Sequence, residues 1–248
     1  MREIIDNIRT RSNYKEELES FTRNYFTNIL SLSDSIYNSN RIEGSSLTLG
    51  ETISIVNNKH GNSLEELEVI GLAHAMDFMK HLVKGKFAKL DVVLLHELLM
   101  KDINPSNAGI VRLGDAYTYV RNPDSTVKKF YYARPEEIEY LLEKLMENPL
   151  ETLDDVILFK LKLVTIHPFS DGNGRVSRLV LNWLLIQTGY PPITLKGEDS
   201  DRDLYLNAMT AFSSRGNVEE FTKIVESEIV NSYKHFKEPP RIKNSSIF

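Results

Sequence analysis

The 248-residue chain contains no cysteine, which rules out a disulfide framework, a Cys-ligated zinc site and a thiol nucleophile together. Positive charge is not in excess either: 30 Lys and Arg stand against 35 Asp and Glu, a net charge of −5. No basic tract rises above that background, so non-specific nucleic-acid binding is disfavoured and no nucleic-acid partner is expected. No apolar run approaches the ~20 residues that a membrane-spanning helix needs, and the opening Met1-Arg-Glu-Ile-Ile-Asp-Asn-Ile-Arg9 is too polar for a signal peptide. The sequence therefore reads as a soluble, cytoplasmic protein with no membrane partner, on which reading the glycosylation pattern Asn244-Ser-Ser246 is a chance match. The common phosphate loops are missing as well. Gly85-Lys86 is followed by Phe87 and lacks the upstream glycine of a Walker loop, and no Gly-x-Gly-x-x-Gly occurs. His96-Glu97 begins a zinc-protease pattern, but Met100 stands where the second histidine should be, so His96 reads as structural, as do His74 and His81.

What is present is mostly helical patterning, in a chain long enough to bury one large core. Tyr14, Leu18, Phe21, Tyr25 and Ile29 recur at helical spacing and predict a first amphipathic helix over about Asn13 to Leu32. A short segment from Ser33 to Glu43 follows and stops at Gly44. Thr48-Leu-Gly-Glu51 and Ser63-Leu-Glu-Glu66 have capping-box spacing and start two more helices, ending near Gly61 and Lys84. Asp91 is placed to cap another through Lys101. Thr118 to Val120 and Val127 to Tyr132 are β-branched and aromatic, and with the turn residues Asn122-Pro-Asp-Ser125 between them they predict a small exposed hairpin. Helices follow over Pro135 to Asn148, Leu153 to Ile166, Arg175 to Thr188, Asp201 to Ser213 and Asn217 to about Lys234. The stretch Phe159-Lys-Leu-Lys-Leu163 also alternates like a strand, and length decides for helix. The expected fold is all-α with a small β-hairpin, divided into an N-terminal helical region (1–60), a core (61–235) and a flexible tail (236–248).

The chemistry concentrates in His167-Pro-Phe-Ser-Asp-Gly-Asn-Gly-Arg-Val-Ser-Arg178. Pro168 disfavours helical geometry at His167, so the imidazole should stand where a helix gives way to a loop. The loop Asp171-Gly-Asn-Gly174 leads straight into a new helix, whose first N–H groups lack partners and carry the positive end of the dipole, a place suited to phosphate. Its glycines admit unusual backbone angles and leave room for an anion. Arg175 and Arg178 add fork-like cationic donors on neighbouring faces of the first turn. Asp171 offers a hard oxygen of the kind Mg²⁺ takes together with water and substrate phosphates. Base, metal ligand, anion cradle and two cations suit transfer of a phosphorus-centred group. Singly, each could be a helix connection or a packing residue; the combination at this spacing favours function.

At every specified position the same run resembles the signature of the Fic (Fic/DOC) family, His-x-Phe-x-(Asp/Glu)-Gly-Asn-Gly-Arg-x-x-Arg. The resemblance implies a helical Fic core acting as a protein adenylyltransferase, an enzyme that transfers AMP from ATP, with Mg²⁺, to a Tyr, Thr or Ser hydroxyl of a target protein. Carried over by position, His167 would be the catalytic base, Phe169 the anchor of the loop and Asp171 the metal ligand. Gly172, Asn173 and Gly174 would form the anion hole, and Arg175 and Arg178 would bind phosphates, Arg178 the γ-phosphate. The hairpin, residues 116–132, resembles the family's flap, where an extended target segment docks by strand addition. Tyr205 and Asn207 are candidates for the adenine pocket and would serve equally as core and cap residues.

Upstream, Ser39-Asn-Arg-Ile-Glu-Gly44 resembles the family's inhibitory motif, (Ser/Thr)-x-x-x-Glu-(Gly/Asn), in the subgroup that carries it N-terminal to the core. It implies that Ser39, Glu43 and Gly44 belong to an auto-inhibitory helix. Glu43 would pair with Arg178 in a bidentate, charge-assisted bond, taking the space and charge the γ-phosphate needs, and could also assist the reverse, AMP-removing reaction. The alternative from another class is a nucleotide-sensing regulatory or interaction protein with a low-turnover Fic core. A homodimer is a further option, since exposed apolar helix faces often pair. The sequence leaves the target protein unidentified.

Overall fold

The computed structural model describes residues 1–83, 85–121 and 126–236. The expected turn Asn122 to Ser125, Lys84 and the tail from position 237 onward lie outside the described residues. The described residues are mainly helical with one two-stranded antiparallel hairpin, as the patterning requires.

The N-terminal third departs most from the sequence expectation. A helix that the patterning does not show, α1 (Arg2–Arg9), buries only Ile5, and is held by Arg2, which donates to Glu226 at 2.8 Å and to Asp154 at 2.6 Å. The break expected between Leu32 and Ser33 falls earlier, at Asn28, between α2 (Tyr14–Thr27) and α3 (Ile29–Glu43). Asn28 divides them because its side chain accepts the N–H groups of Leu30 and Ser31, an N-cap that starts a new helix inside the apolar period. α3 ends at Gly44, in the left-handed conformation with φ 102°.

Both capping boxes form as read. Thr48 opens α4 (Leu49–Asn58) and Ser63 opens α5 (Leu64–Leu82). α6 (Lys89–Met100) starts earlier than Asp91 suggests: Asp91 is its third residue, and its carboxylate accepts the Ala88 N–H at 2.7 Å. The hairpin pairs β1 (Tyr117–Arg121) with β2 (Val127–Tyr131), Tyr117 opposite Tyr131. α7 (Pro135–Met146) begins at its proline. α8 (Leu153–Ile166) is apolar nearly all round and buried on most sides, which explains why its period was ambiguous.

α9 (Asn173–Gln187) is the centre of the molecule. Val176, Leu179, Val180, Leu181, Trp183, Leu184 and Leu185 are all buried, and the helix packs against α3, α5, α6 and α8. Burial this complete fixes its N-terminus rigidly, and that end carries the glycine loop. α10 (Asp199–Arg215) and α11 (Glu219–Lys234) close the far side. α3 is locked onto the end of the segment between α9 and α10 and onto the first turn of α10: Asn38 accepts the Gly197 N–H at 3.0 Å, Tyr37 donates to Glu198 at 2.7 Å, and Arg202 donates to the Ile42 carbonyl at 2.9 Å. The last turns of α3 are thereby aimed at the start of α9. Among the described residues no helix is long and apolar enough to cross a membrane.

Candidate active site

α8 ends at His167, which takes a left-handed conformation with φ 53° and ψ 60°. For a non-glycine residue that costs about 1–2 kcal/mol. Arg112 compensates by bracing the bend: its Nε donates to the His167 carbonyl at 2.7 Å, and its Nη atoms donate to the Gly114 and Ala133 carbonyls at the base of the hairpin. Its backbone N–H also donates to the Pro168 carbonyl at 2.9 Å. The imidazole lies flat on Tyr132, centroids 3.8 Å apart at 11°. Burial under this ring pulls the His167 pKa down to about 4, against the opposing pull of the nearby Val164 carbonyl. Nδ1 is buried without a hydrogen bond of good geometry, which leaves Nε2 as the nitrogen open to a substrate. His167 is therefore neutral at physiological pH, the state a base needs.

The loop after it is held from three directions. Phe169 is fully buried and stacks on His96, centroids 3.7 Å apart at 3°. His96 Nδ1 accepts the Gly109 N–H at 3.0 Å, so its proton sits on Nε2, which donates to the Asp171 carbonyl at 3.2 Å. The structural role read for His96 thus becomes a specific one, a clamp on the loop. Asn173 clasps the Phe169 backbone from the other side, accepting its N–H at 2.9 Å and donating to its carbonyl at 2.7 Å. Gly172 has φ 74°, which favours glycine. A Cβ on Gly174 would come within 2.3 Å of Glu43 Oε1, so the carboxylate rests directly on the backbone at the start of α9. The first N–H groups of α9 have no intrahelical acceptor and point to an anion.

Two arginines leave this turn in different directions. Arg175 is buried and donates to Glu68 on α5 at 2.7 Å, with Asp171 Oδ2 3.5 Å away. Burial of Glu68 outweighs the arginine and leaves its carboxyl above the usual range. Arg178 is buried beneath α3. Its Nε donates to Ser39 Oγ at 3.0 Å, and its Nη2 donates to the Ser39 carbonyl at 2.9 Å and to Glu43 Oε1 at 2.7 Å. The contact with Glu43 is therefore through one oxygen and not bidentate: Ser39 takes Nε and shares Nη2 with Glu43. Burial pushes the Glu43 pKa up, but Arg178 outweighs it and holds the carboxyl below its usual range. Glu43 nevertheless keeps 38% of its side chain accessible, since one face looks into solvent. Gly44 caps the helix immediately after it.

Of the adenine-pocket candidates, Asn207 is exposed and Tyr205 is buried. The Tyr205 ring centroid lies 5.8 Å from the Arg178 guanidinium carbon, and its hydroxyl accepts from Lys160 at 2.8 Å. Asp171 is well exposed, and its Oδ1 accepts the Gly172 N–H at 2.6 Å. No group of three or more acidic, histidine or cysteine side chains gathers to form a protein-only metal cage among the described residues. One exposed carboxylate beside an anion cradle does suit Mg²⁺, which completes its shell with phosphates and water.

Sequence reasoning did not find Glu68, Arg112 or Lys160, all of which act through residues distant in sequence. A cavity of about 1060 Å³ lies elsewhere, between α2 and the end of α9, lined in part by Arg23, Phe26, Phe87 and Ile186. It includes no residue of the segment from His167 to Arg178. Neutral base, anion cradle, exposed carboxylate and buried guanidinium thus meet on one braced loop, a set able to activate a hydroxyl and to hold a phosphate chain.

The Fic/DOC family matches residues 86–185. The protein adenylyltransferase Fic of Nematostella vectensis is 32% identical over 206 residues, covering 77% of this chain and 45% of that protein. Its namesake from Drosophila mojavensis is 30% identical over 196 residues, covering 77% and 38%. The chain thus spans less than half the length of these curated relatives. Fic-1 from C. elegans has the same fold, with a TM-score of 0.75 at 23% identity over 95% of this chain and 71% of that one. A Fic domain containing signaling protein from Bacteroides thetaiotaomicron shares it over 94% of this chain and 92% of its own, at a TM-score of 0.66 and 20% identity.

Proposed function

Residues 86–185 are a Fic/DOC family domain, and from that premise we propose that the chain is a protein adenylyltransferase, auto-inhibited by the helix that carries Glu43. The supporting observation is the joining, through one short loop, of a neutral histidine to an anion cradle backed by a buried arginine. In the proposed reaction His167 Nε2 takes the proton of a Tyr, Thr or Ser hydroxyl on the target. The hydroxyl oxygen bonds to the α-phosphorus of ATP, the bond from that phosphorus to the β-phosphate bridge breaks, and pyrophosphate leaves. The N–H groups at the start of α9 stabilise the charge on the transferred phosphate, and Arg178 holds the γ-phosphate. Asp171 would hold a magnesium ion, whose contribution is to neutralise phosphate charge. Asn173, Phe169 and His96 keep the cradle in shape, and Arg175 is fixed by Glu68 beside it.

The target docks along the hairpin in this reading. Among the described residues the two strands pair only with each other, which leaves an edge for strand addition; Tyr119 and Tyr131 are exposed, and the adjoining Tyr132 lies on His167. Residues 1–60 act as the regulatory arm and 61–235 as the core. With Glu43 on Gly174 and Arg178, ATP can enter only in a pose that leaves the γ-phosphate unclamped. Withdrawal of Glu43 frees the clamp.

The test is to incubate the protein, Glu43→Gly and His167→Ala with Mg²⁺ and ATP labelled on either the α- or the γ-phosphate, with a cell lysate as target source. The expected result is α-label on protein, absent in His167→Ala. γ-label would make the chain a phosphotransferase. No label with retained ATP binding would favour the second reading, a nucleotide-sensing regulatory protein, for which the occupied Arg178 is the supporting observation.

A further inference from the structure

We infer that Lys160 is a second cation of the Arg178 anion site, buried beneath Tyr205, and that it strengthens triphosphate binding at the expense of fold stability. The inference rests on the nucleotide reading of the cleft.

Lys160 lies on the inner face of α8 and is fully buried, among the largest side chains that are. Its ammonium donates to the Tyr205 hydroxyl at 2.8 Å and to Met209 Sδ at 2.8 Å, and sits 4.6 Å and 4.5 Å from the ring centroids of Tyr205 and Phe221. No ion pair to it forms among the described residues. A phenol, a thioether and two ring faces replace water poorly around a charge, and burial accordingly holds the lysine below its usual pKa. The side chains around it, Tyr205, Met209 and Phe221, are those of an apolar core layer in which an uncharged side chain would fit. A fold selected for stability alone would place one here too.

The charge count supplies the reason to keep it. Arg175 is balanced by Glu68. Arg178 and Lys160 flank the same tyrosine, and Glu43 is a carboxylate that attracts both. With Glu43 in place the pocket carries two cations and one anion; with Glu43 withdrawn it carries two cations and none. An oligophosphate restores the balance and a single phosphate restores it less, so Lys160 should favour ATP over AMP. Over a separation on the order of 10 Å in a protein-like dielectric, one unit charge acting on the nearest phosphate is worth roughly tenfold in affinity, and the phosphate nearest Arg178 is the one that ATP has and AMP lacks.

The experiment compares Glu43→Gly with Glu43→Gly/Lys160→Met, measuring melting temperature without nucleotide and calorimetric Kd for ATP and for AMP with Mg²⁺. The double variant should melt at or above its parent, bind ATP about tenfold more weakly, and bind AMP within about twofold of its parent. Unchanged ATP affinity, or equal weakening of ATP and AMP, overturns the inference, the latter because it is what lost packing alone would give. A lower melting temperature overturns the stability half, and Lys160→Gln in the same background then decides the affinity half by the same ATP-to-AMP comparison. If the Glu43→Gly parent itself binds no ATP, the nucleotide reading fails and takes this inference with it. That failure is distinguishable because the parent shows it without any change at Lys160.

Discussion

Removing the Glu43 carboxylate should destabilise the free protein and at the same time increase what ATP can do for it. In Glu43→Ala the bond from Arg178 Nη2 to Glu43 Oε1 at 2.7 Å is lost, while the two bonds from Arg178 to Ser39 remain. A hydrogen bond between charged groups contributes about 1.5–3 kcal/mol. A value at or just below the bottom of that range applies, because Glu43 is 38% accessible and Arg178 keeps other acceptors; about 1–2 kcal/mol is expected. For a chain of this length, each kcal/mol moves the melting temperature by about 2–4 °C, so the variant should melt about 2–8 °C lower by calorimetry. ATP with Mg²⁺ at a hundredfold excess over Kd returns about 2.7 kcal/mol. In the wild type the nucleotide either binds without the Arg178 clamp or must displace Glu43 to reach it, so the ATP-induced rise in melting temperature should be larger in Glu43→Ala. An unchanged melting temperature in the free variant, or an equal ATP-induced rise in both proteins, would refute the claim that the two anions compete for one arginine.

Three further outcomes follow from the same geometry. Gly174→Ala brings a Cβ to 2.3 Å from Glu43 Oε1 and 3.2 Å from Arg178 Nη1, so it should expel Glu43 and yet obstruct the cradle; label transfer should stay low even in a Glu43→Gly background, and high transfer would show that phosphate does not approach this backbone. His96→Leu removes the proton donor to the Asp171 carbonyl and the acceptor for Gly109, and should cost about 2–3 kcal/mol in urea unfolding, with Asn173→Ala costing about as much through the Phe169 backbone. His96 and His167 are both held down to about 4 by burial. The unfolded chain takes up these protons as pH falls through ~6.5, so stability should be level above pH 6.5 and fall towards pH 4, by up to about 1.4 kcal/mol per pH unit for each histidine. Melting temperatures across that range should show the slope, and His96→Gln should reduce it.

The helices that were legible in the sequence are those whose ends carry local chemistry. Thr48 with Glu51 and Ser63 with Glu66 satisfy their own backbone groups, so four-residue patterns located α4 and α5 without tertiary information. The boundary at Asn28 was local as well, but Tyr25 and Ile29 continue the apolar period across it and hid the cap. α1 buries only Ile5 and depends on Arg2 reaching Glu226, 224 residues away, a contact that no window can show. The site divides in the same way. From His167 to Arg178 the functional groups are consecutive, and their spacing alone specified a helix end, a glycine loop and a helix start. The residues that hold them are distant: Glu68 on Arg175 across 107 positions, Arg112 on His167 across 55, and Lys160 under Tyr205 across 45. Sequence also suggested a two-pronged grip of Glu43 on Arg178. The grip has one prong, and Ser39, one helical turn earlier, takes Nε and shares Nη2 with Glu43.

The measurement that bears most directly on the central claim is the initial rate of α-phosphate label transfer to protein at saturating ATP and Mg²⁺, compared between the wild type and Glu43→Gly. If Arg178 must exchange Glu43 for the γ-phosphate before transfer, Glu43→Gly should be faster by about tenfold or more, the factor that freeing an interaction of about 1.4 kcal/mol gives. Equal rates in the two proteins would contradict the account.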